Sequence, residues 1–584
     1  MDRNPGDSRA VIAATVHAIW RDILDGQAAE PHDDFFDVGG TSLGAVKFLA
    51  EIESSFGLDA LTPEELYTRS TFEAIVAAIE SNVRRAAGFP DHTIAELFAR
   101  RAAETPDGIA LRFRDRAVTY RQLDRAANGL AWRLRRQGVG PGTVVATAMA
   151  RTPGFVTALL GILKAGGAYL PIDPAWPAAR LATMMERASV PIVVTEAETD
   201  ALPDHVTRLH IGDTDTACAD GAPETGVDPG DPAIVNFTSG STGEPKGVLT
   251  PHRGVTSLLF PGDFAKLSAD TVLLAHMSPS FDGMTVELWG PLLHGGTCVL
   301  FDGTFPSVSR LRTAIRDNGV NTLTLTTALF NVVVDSAPDV LDPLSALVVG
   351  GEAQSPRHFR AAHKRLPHLP IVNAYGPTET TVIATCFPVA DLMPDAPSVP
   401  IGRPLPNREV SLLGPDLIPV AAGEAGEICV SGPGLAIGYV GRPDLTAERF
   451  VTIPSPNGGQ RRVYRTGDLA RLAPSGELEF LGRADRQVKL NGQRIELEEI
   501  ERVLATHPRV HQAAALIHGE GVTRTLKAVL VAPEGVPPDL GELLARSLPA
   551  YMVPAGMRAI DALPLNTNGK IDRAALARLF DHRP

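Results

Sequence analysis

The sequence predicts a multidomain fold: an all-helical segment first, then a large α/β body, then a small α+β unit at the C-terminal end. Three observations carry this reading. The chain has 584 residues, too many for one core, with a soft prior of roughly three to five domains. Over residues 9–84 apolar side chains recur at helical spacing and no strand-like run interrupts them. From Thr93 onward apolar strand-like runs alternate with helical stretches, the pattern of βαβ units and a mostly parallel sheet, and beyond Asp485 the elements shorten to a mixed pattern.

The helical segment reads in order. Ile12, Val16, Ile19, Trp20, Ile23 and Leu24 form one apolar stripe, and Leu43, Val46, Leu49, Ile52 and Phe56 form a second. Thr62-Pro63-Glu64-Glu65 is a capping box with proline at the first helical position, and Phe72, Ile75, Val76 and Ile79 mark a last short helix. A polar stretch bearing Arg and Ala runs from Ser81 to Pro90, with the linker proper placed at 85–92. The body, 93–484, starts with a helix from Ile94 to Ala103, strands around Arg114-Asp115-Arg116 and a helix carrying Leu123, Leu130 and Leu134. The closing unit, 485–584, holds strands VKLNG and QRIEL, helix LEEIERVLATH, strands HQAAALI and TLKAVLVA, and helix LGELLARSL.

Composition narrows the function classes. Hydrophobic residues make up 44% and charged residues 21%, the balance of a soluble globular protein. A net charge of −14 argues against nucleic acid or an anionic membrane as the main partner, so any anion must be held by local groups. Cys218, Cys298, Cys386 and Cys429 lie far apart with no C-x-x-C pair, which suggests neither a zinc site nor a disulfide framework and fits a reducing compartment. No apolar signal core or membrane-length run is present, so the expected location is the cytoplasm.

Two short motifs could carry chemistry. In IVNFTSGSTGEPKGVLTPHRG, residues 234 to 254, a strand runs into Thr238, Ser239, Gly240, Ser241, Thr242 and Gly243 and ends in Pro245-Lys246-Gly247. Glycines let backbone N–H groups approach an anion, hydroxyls add donors and a lysine supplies charge, although a plain surface turn has the same composition. A Walker loop is excluded because Lys246 is followed by Gly247 rather than Ser or Thr. Gly40-Thr41-Ser42-Leu43-Gly44 matches G-x-S-x-G, but an all-helical segment cannot supply the sheet, Asp and His of a hydrolase. On the residues alone, Ser42 then reads as the cap of the helix that follows. A third motif, the G-x-G in GEICVSGPGLAIGYV, lacks dinucleotide spacing and a following helix.

The loop before Lys246 resembles, almost letter for letter, the phosphate loop of adenylate-forming enzymes, specifically the adenylation domains of nonribosomal peptide synthetases. VTYRQL, LKAGGAYLPIDP, NAYGPTETT, YRTGDL, GRADRQVKLNGQRIELEEIE and PLNTNGKIDRAAL follow the same family in the same order, and DDFFDVGGTSLGAV resembles the attachment site of peptidyl carrier domains. The resemblance implies a four-helix carrier bundle at 9–84, an adenylation core at 93–484 and a mobile subdomain at 485–584 that swings about Asp485. It implies 4′-phosphopantetheine on Ser42, with Phe35, Phe36 and Leu43 as packing and recognition residues. For ATP it implies the phosphate loop and Lys246, with Tyr375 stacked on adenine, Asn373, Gly351 and Glu352 beside the base, and Asp468 and Arg483 at the ribose. Thr378 would approach the α-phosphate, Glu379 would hold Mg²⁺, and Lys570 would be the catalytic lysine.

Asp282 marks amino-acid-activating members, since it would hold the α-ammonium. The same alignment lines the side-chain pocket with Asp282, Gly283, Val286, Ala328, Val348, Gly350, Ala374, Val382 and Ile383, with Lys570 on the carboxylate. Apart from the two charged residues none bonds strongly, so a large, mostly apolar or aromatic side chain is expected. Implied partners are a phosphopantetheinyl transferase, a condensation domain and other modules, a carrier loaded in cis or trans, and a small accessory protein. Two rival classes stay open: an acyl- or aryl-CoA ligase, which would lack Asp282 and a carrier, and a non-catalytic carrier or docking protein, which would have a decayed nucleotide site.

Overall fold

The structure is a computed structural model that describes residues 7–24, 26–56, 61–86, 89–196, 201–211, 219–239, 245–262, 264–303, 307–455, 460–484, 487–519, 523–564 and 571–581. Helices α1 (Asp7–Ile23), α2 (Ser42–Phe56), α3 (Pro63–Thr68) and α4 (Phe72–Ala86) make up the first segment. They close over Val16, Trp20, Phe35, Phe48, Ile52, Leu66, Ile75 and Ile79, all fully buried. Trp20 lies edge-on to Phe35, Phe48 and Phe72. Each such aliphatic or aromatic burial contributes about 1.5–3 kcal/mol, so the apolar stripes are what hold this short segment together. The capping box at Thr62 forms as the sequence predicts, with Thr62 and Glu65 bonding reciprocally and Pro63 opening the helix.

Two mostly parallel sheets form the body. One has nine strands, in the order Arg403–Pro404, Thr385–Pro388, Ile371–Tyr375, Ala346–Gly350, Thr322–Thr326, Val272–Ala275, Thr297–Leu300, Ile109–Phe113 and Arg116–Thr119. Its central strands pair in parallel and its edge strands antiparallel. The second has seven strands and carries Pro232–Thr238 and Lys246–Pro251, the two sides of the phosphate loop, as an antiparallel pair.

Residues 409–483 depart from the expected parallel pattern. They form a five-stranded antiparallel sheet around the long strand Gln460–Leu472. A helix, Pro443–Arg449, lies between the strands Gly426–Ser431 and Phe450–Pro454, yet every pairing in this sheet is antiparallel. From Gln487 onward the chain makes a two-stranded hairpin, Gln487–Leu490 with Gln493–Glu496, and a separate three-stranded sheet. Asn491 and Gly492 both have positive φ, the two-residue turn an Asn-Gly pair favours. Among the described residues no helix is long and apolar enough to cross a membrane.

Candidate active site and carrier serine

A cavity of about 530 Å³ opens at the carboxyl ends of the parallel strands Thr322–Thr326, Ala346–Gly350 and Ile371–Tyr375, where open α/β sheets place their ligands. Strand Ala346–Gly350 delivers Val348 and Gly350, and strand Ile371–Tyr375 delivers Asn373, Ala374 and Tyr375. Beyond Thr380 the backbone takes two left-handed steps, at Thr381 (φ 58) and Val382 (φ 65). Both residues are β-branched, so the turn is strained, and it brings Val382 and Ile383 back to the cavity wall. Thr381 Oγ1 secures the turn by donating to the Gly434 carbonyl at 2.8 Å.

Three carboxylates organise the polar side of the cavity. Asp282 Oδ2 accepts from Thr378 Oγ1 at 2.5 Å, and burial raises its pKa above the usual carboxylate range while the Thr378 bond opposes this. Asp468 accepts from the Tyr375 hydroxyl at 2.6 Å and from Arg483, whose other amine donates to the Thr466 carbonyl. Burial and the adjacent Asp468 together push the Tyr375 hydroxyl well above its ordinary pKa, so it stays a proton donor. Glu352 accepts from Gly492 N at 2.8 Å and from Arg524 at 2.6 Å, and Asn373 Nδ2 donates to the Pro400 carbonyl.

Beside this cavity the small unit's hairpin lies against Ser239 and Lys246, on either side of the phosphate loop. One guanidinium nitrogen of Arg494 donates to both oxygens of the fully buried Glu379 at 3.0 Å, and Tyr439 donates to Glu379 at 2.8 Å. Burial pushes the Glu379 carboxyl up, but Arg494 and Lys246 outweigh it and hold Glu379 well below the usual range. Ser239 Oγ donates to the Arg494 carbonyl at 2.8 Å. Lys246 is itself buried, 4.0 Å from Glu496 and 5.5 Å from the Tyr439 ring centre. Burial and then Arg494 lower its pKa to about 8. Lys489 reaches the other side of the hairpin's contact, 6.0 Å from the Tyr375 ring centre, its pKa lowered by burial and supported by Asp468 and Asp282.

Most of the residues expected at the site therefore come together, with three qualifications. Of the phosphate-loop residues Thr238, Ser239 and Lys246 are described; none lines the cavity, because the hairpin lies over them, and Gly240, Ser241, Thr242 and Gly243 fall outside the described residues. Lys570 and Asp485 fall outside them too. Ala328, the second residue of the helix Thr327–Ser336, is not among the residues that line the cavity, whereas Thr324, in the preceding strand Thr322–Thr326, is. The Thr324 hydroxyl is already spent on Glu287 at 2.6 Å.

Sequence reasoning missed Lys489, Arg494, Arg524, Thr324 and Met277 as cavity residues. For the first two a signal existed. An Asn-Gly turn at 491–492 makes Lys489 and Arg494 direct cross-strand partners, and like charges placed opposite each other are unfavourable unless that face meets anions.

In the helical segment Thr41, not Ser42, caps α2: Gly44 N donates to Thr41 Oγ1 at 3.1 Å. Ser42 is the first helical residue and is exposed, its hydroxyl not needed for capping. Just before it, a side chain at Gly40 would run into Phe35, with an ideal Cβ 2.3 Å from the Phe35 carbonyl oxygen. Phe35 is fully buried, Phe36 stacks on Tyr67, and Leu43 and Val46 are 68% and 63% exposed beside Ser42. Packing thus belongs to Phe35, while Leu43 and Val46 leave an exposed apolar face beside Ser42.

These two sites define an adenylating enzyme with a covalent carrier segment, and comparison with known proteins agrees: the chain belongs to the AMP-binding enzymes, matching that family over residues 98–440 and its C-terminal domain over 499–570. Residues 14–79 match the phosphopantetheine attachment site family. The chain is 38% identical over 541 residues to tyrocidine synthase 3 of Brevibacillus parabrevis, covering 91% of this chain and 8% of that protein. It is 38% identical over 493 residues to bacitracin synthase 1 of Bacillus licheniformis, covering 83% of this chain and 9% of that one. The chain therefore spans less than a tenth of the length of these curated relatives. Among solved structures it is similar to holo-PA1221, an NRPS protein containing adenylation and PCP domains bound to a vinylsulfonamide inhibitor, with TM-score 0.78, 34% identity and 85% of each chain covered. Adenylate-forming enzymes use ATP with Mg²⁺, and the attachment-site segment implies 4′-phosphopantetheine.

Proposed function

We propose that this chain activates an amino acid as its aminoacyl-AMP and passes it to a phosphopantetheine thiol in nonribosomal peptide synthesis, with a carrier at 9–84, a core at 93–484 and a mobile unit at 485–584. The observation that carries this is the convergence of Asp282, Tyr375 and Asp468 on one cavity at the strand ends. A carboxylate for an ammonium, an aromatic face for a base and a carboxylate for ribose hydroxyls then stand in one space. The chemistry asks mainly for two anions to be positioned and their repulsion neutralised.

In this reading Asp282 binds the α-ammonium, and Asp468 with Arg483 orients the ribose. Thr238 Oγ1, buried with no partner among the described residues, suits a phosphate oxygen at the loop. Lys246 adds charge there, and Lys570 lies on the reacting carboxylate and α-phosphate. Glu379 is the hard oxygen ligand for Mg²⁺, which neutralises phosphate charge. Arg494 donates to both Glu379 oxygens here, so this hairpin placement competes with a metal for the Glu379 carboxylate. The placement suits the second half of the reaction, in which Lys489 faces the cavity. Phosphopantetheine on Ser42 supplies the accepting thiol, and Leu43 and Val46 give its carrier a contact face.

The pocket beyond Asp282 is apolar and suits a large aliphatic or aromatic side chain. Pyrophosphate exchange over a panel of amino acids and their des-amino counterparts tests the reading. Exchange with large apolar amino acids is expected; exchange with des-amino acids alone would transfer the site to an acyl-CoA ligase. Asp282→Asn should weaken amino acids by about 1.5–3 kcal/mol, roughly ten- to hundredfold in kcat/KM, and leave a des-amino acid unchanged. Equal loss for both would remove Asp282 from the ammonium.

Ser42→Ala should abolish the mass increment that a phosphopantetheinyl transferase and coenzyme A add to the chain, with pyrophosphate exchange intact. An increment retained in the variant would place the attachment elsewhere.

A further inference from the structure

Resting on that reading, we infer that Met277 is a specificity-determining residue: its thioether fills the space that the missing side chain of Gly283 leaves in the acid pocket, and so sets how large a substrate side chain fits. Met277 and Gly283 both line the cavity. The Met277 sulfur sits where a side chain on Gly283 would begin, 2.4 Å from an ideal Cβ, and the Phe281 ring closes the other side at 3.2 Å. That separation is shorter than a Cβ contact allows, so a side chain at 283 would have to displace the Met277 thioether.

The backbone under Met277 cannot adjust. Its N–H donates to Glu287 Oε2 at 2.9 Å, and its carbonyl accepts from Arg151 at 2.6 Å. Glu287 is fully buried and is held in turn by His276 N and the Thr324 hydroxyl. Arg151 is buried as well and also donates to the Phe301 and Gly303 carbonyls. With the main chain pinned between two buried charged groups, only the thioether remains adjustable. Methionine is unbranched and takes up irregular space, which makes it a gap filler that can be shortened or enlarged without disturbing the strand end.

The test compares pyrophosphate exchange of the wild-type chain with Met277→Ala, Met277→Phe, Gly283→Ala and Gly283→Ala/Met277→Ala. The panel holds leucine, phenylalanine, tryptophan and a naphthylalanine. Met277→Ala should raise the ratio of kcat/KM for naphthylalanine over phenylalanine at least about tenfold, the discrimination a pocket gains or loses with small changes in apolar volume. Met277→Phe should move the ratio of leucine over phenylalanine in favour of leucine, and the KM for ATP should stay as in the wild type in both.

Gly283→Ala should impair every large substrate while Met277 is present, and the double variant should recover them, because residues in contact do not act additively. Ratios unchanged in both Met277 variants, or strictly additive effects at 277 and 283, would overturn the assignment while leaving the adenylation reading intact. A wild-type chain that exchanges pyrophosphate with no amino acid would overturn both.

Discussion

Replacing Lys570 by alanine is expected to slow adenylate formation by roughly 3–4 kcal/mol, a few hundredfold or more, which is the loss measured when one preorganised charge-stabilising donor is removed from an active site. Two anions, the amino-acid carboxylate and the ATP α-phosphate, must meet, and a lysine between them lowers their repulsion where charge develops. The same variant should transfer a preformed aminoacyl-AMP to a pantetheine thiol at close to the wild-type rate, because the groups facing the cavity with the hairpin in place are Lys489 and Arg494. Pyrophosphate exchange reads the first half and single-turnover transfer from synthetic adenylate reads the second. Equal losses in both would contradict the division of labour.

Arg494→Ala should do the reverse. The Glu379 carboxylate is fully buried, and Arg494 donates to both of its oxygens. Removing one partner of a buried ion pair leaves an uncompensated charge, at a cost of about 3–5 kcal/mol against the arrangement that needs the pair. That arrangement is the one with the hairpin against Glu379 and Ser239, so thioester transfer should fall at least about a hundredfold while pyrophosphate exchange is largely kept.

The pH behaviour supplies a second readout. Burial alone would raise the Glu379 pKa, but Arg494 and Lys246 hold it below the usual carboxylate range. The stabilisation it gives the docked hairpin is therefore complete above the ordinary carboxylate pKa and lost on acidification below it. Hairpin docking, followed by energy transfer between labels on the large and small units, should be flat through neutral pH in the wild type and weak at all pH values in the Arg494 variant. A wild-type level of docking in that variant would remove the pair from its role.

Local chemistry explains which parts of this were legible in the sequence. Helix starts announce themselves within a few residues, and Thr62 with Pro63 and Glu65 formed the cap its spelling predicts. The stripes through Val16, Trp20 and Ile75 became the core of the first segment because a period of 3.6 residues is a statement about one face. The carbonyl-end placement of Asn373, Tyr375 and Gly350 followed from parallel strands feeding loops.

What could not be read is long-range. Arg494 meets Glu379 across 115 residues, and Arg524 meets Glu352 across 172; no periodicity encodes such a meeting. The antiparallel sheet at 409–483 was hidden because strand runs look alike until their partners are known. Thr324 was not read as a cavity residue because a strand's length, which sets the register of its last side chains, is not fixed by the residues of the strand alone. Ser42 was ambiguous until Thr41 was seen to take the capping bond.

The central claim is that the hydroxyl- and glycine-lined turn before Lys246 holds nucleotide phosphates so that a carboxylic acid becomes its AMP anhydride. The most direct measurement is mass spectrometry of the small molecules bound to the purified chain after incubation with ATP, Mg²⁺ and the large apolar amino acids, with no thiol acceptor present. The account predicts one aminoacyl-AMP, retained in near-stoichiometric amount and absent when Lys570 is replaced by alanine. ATP left unconsumed with every acid offered, or an AMP product that carries no acyl group, would contradict it.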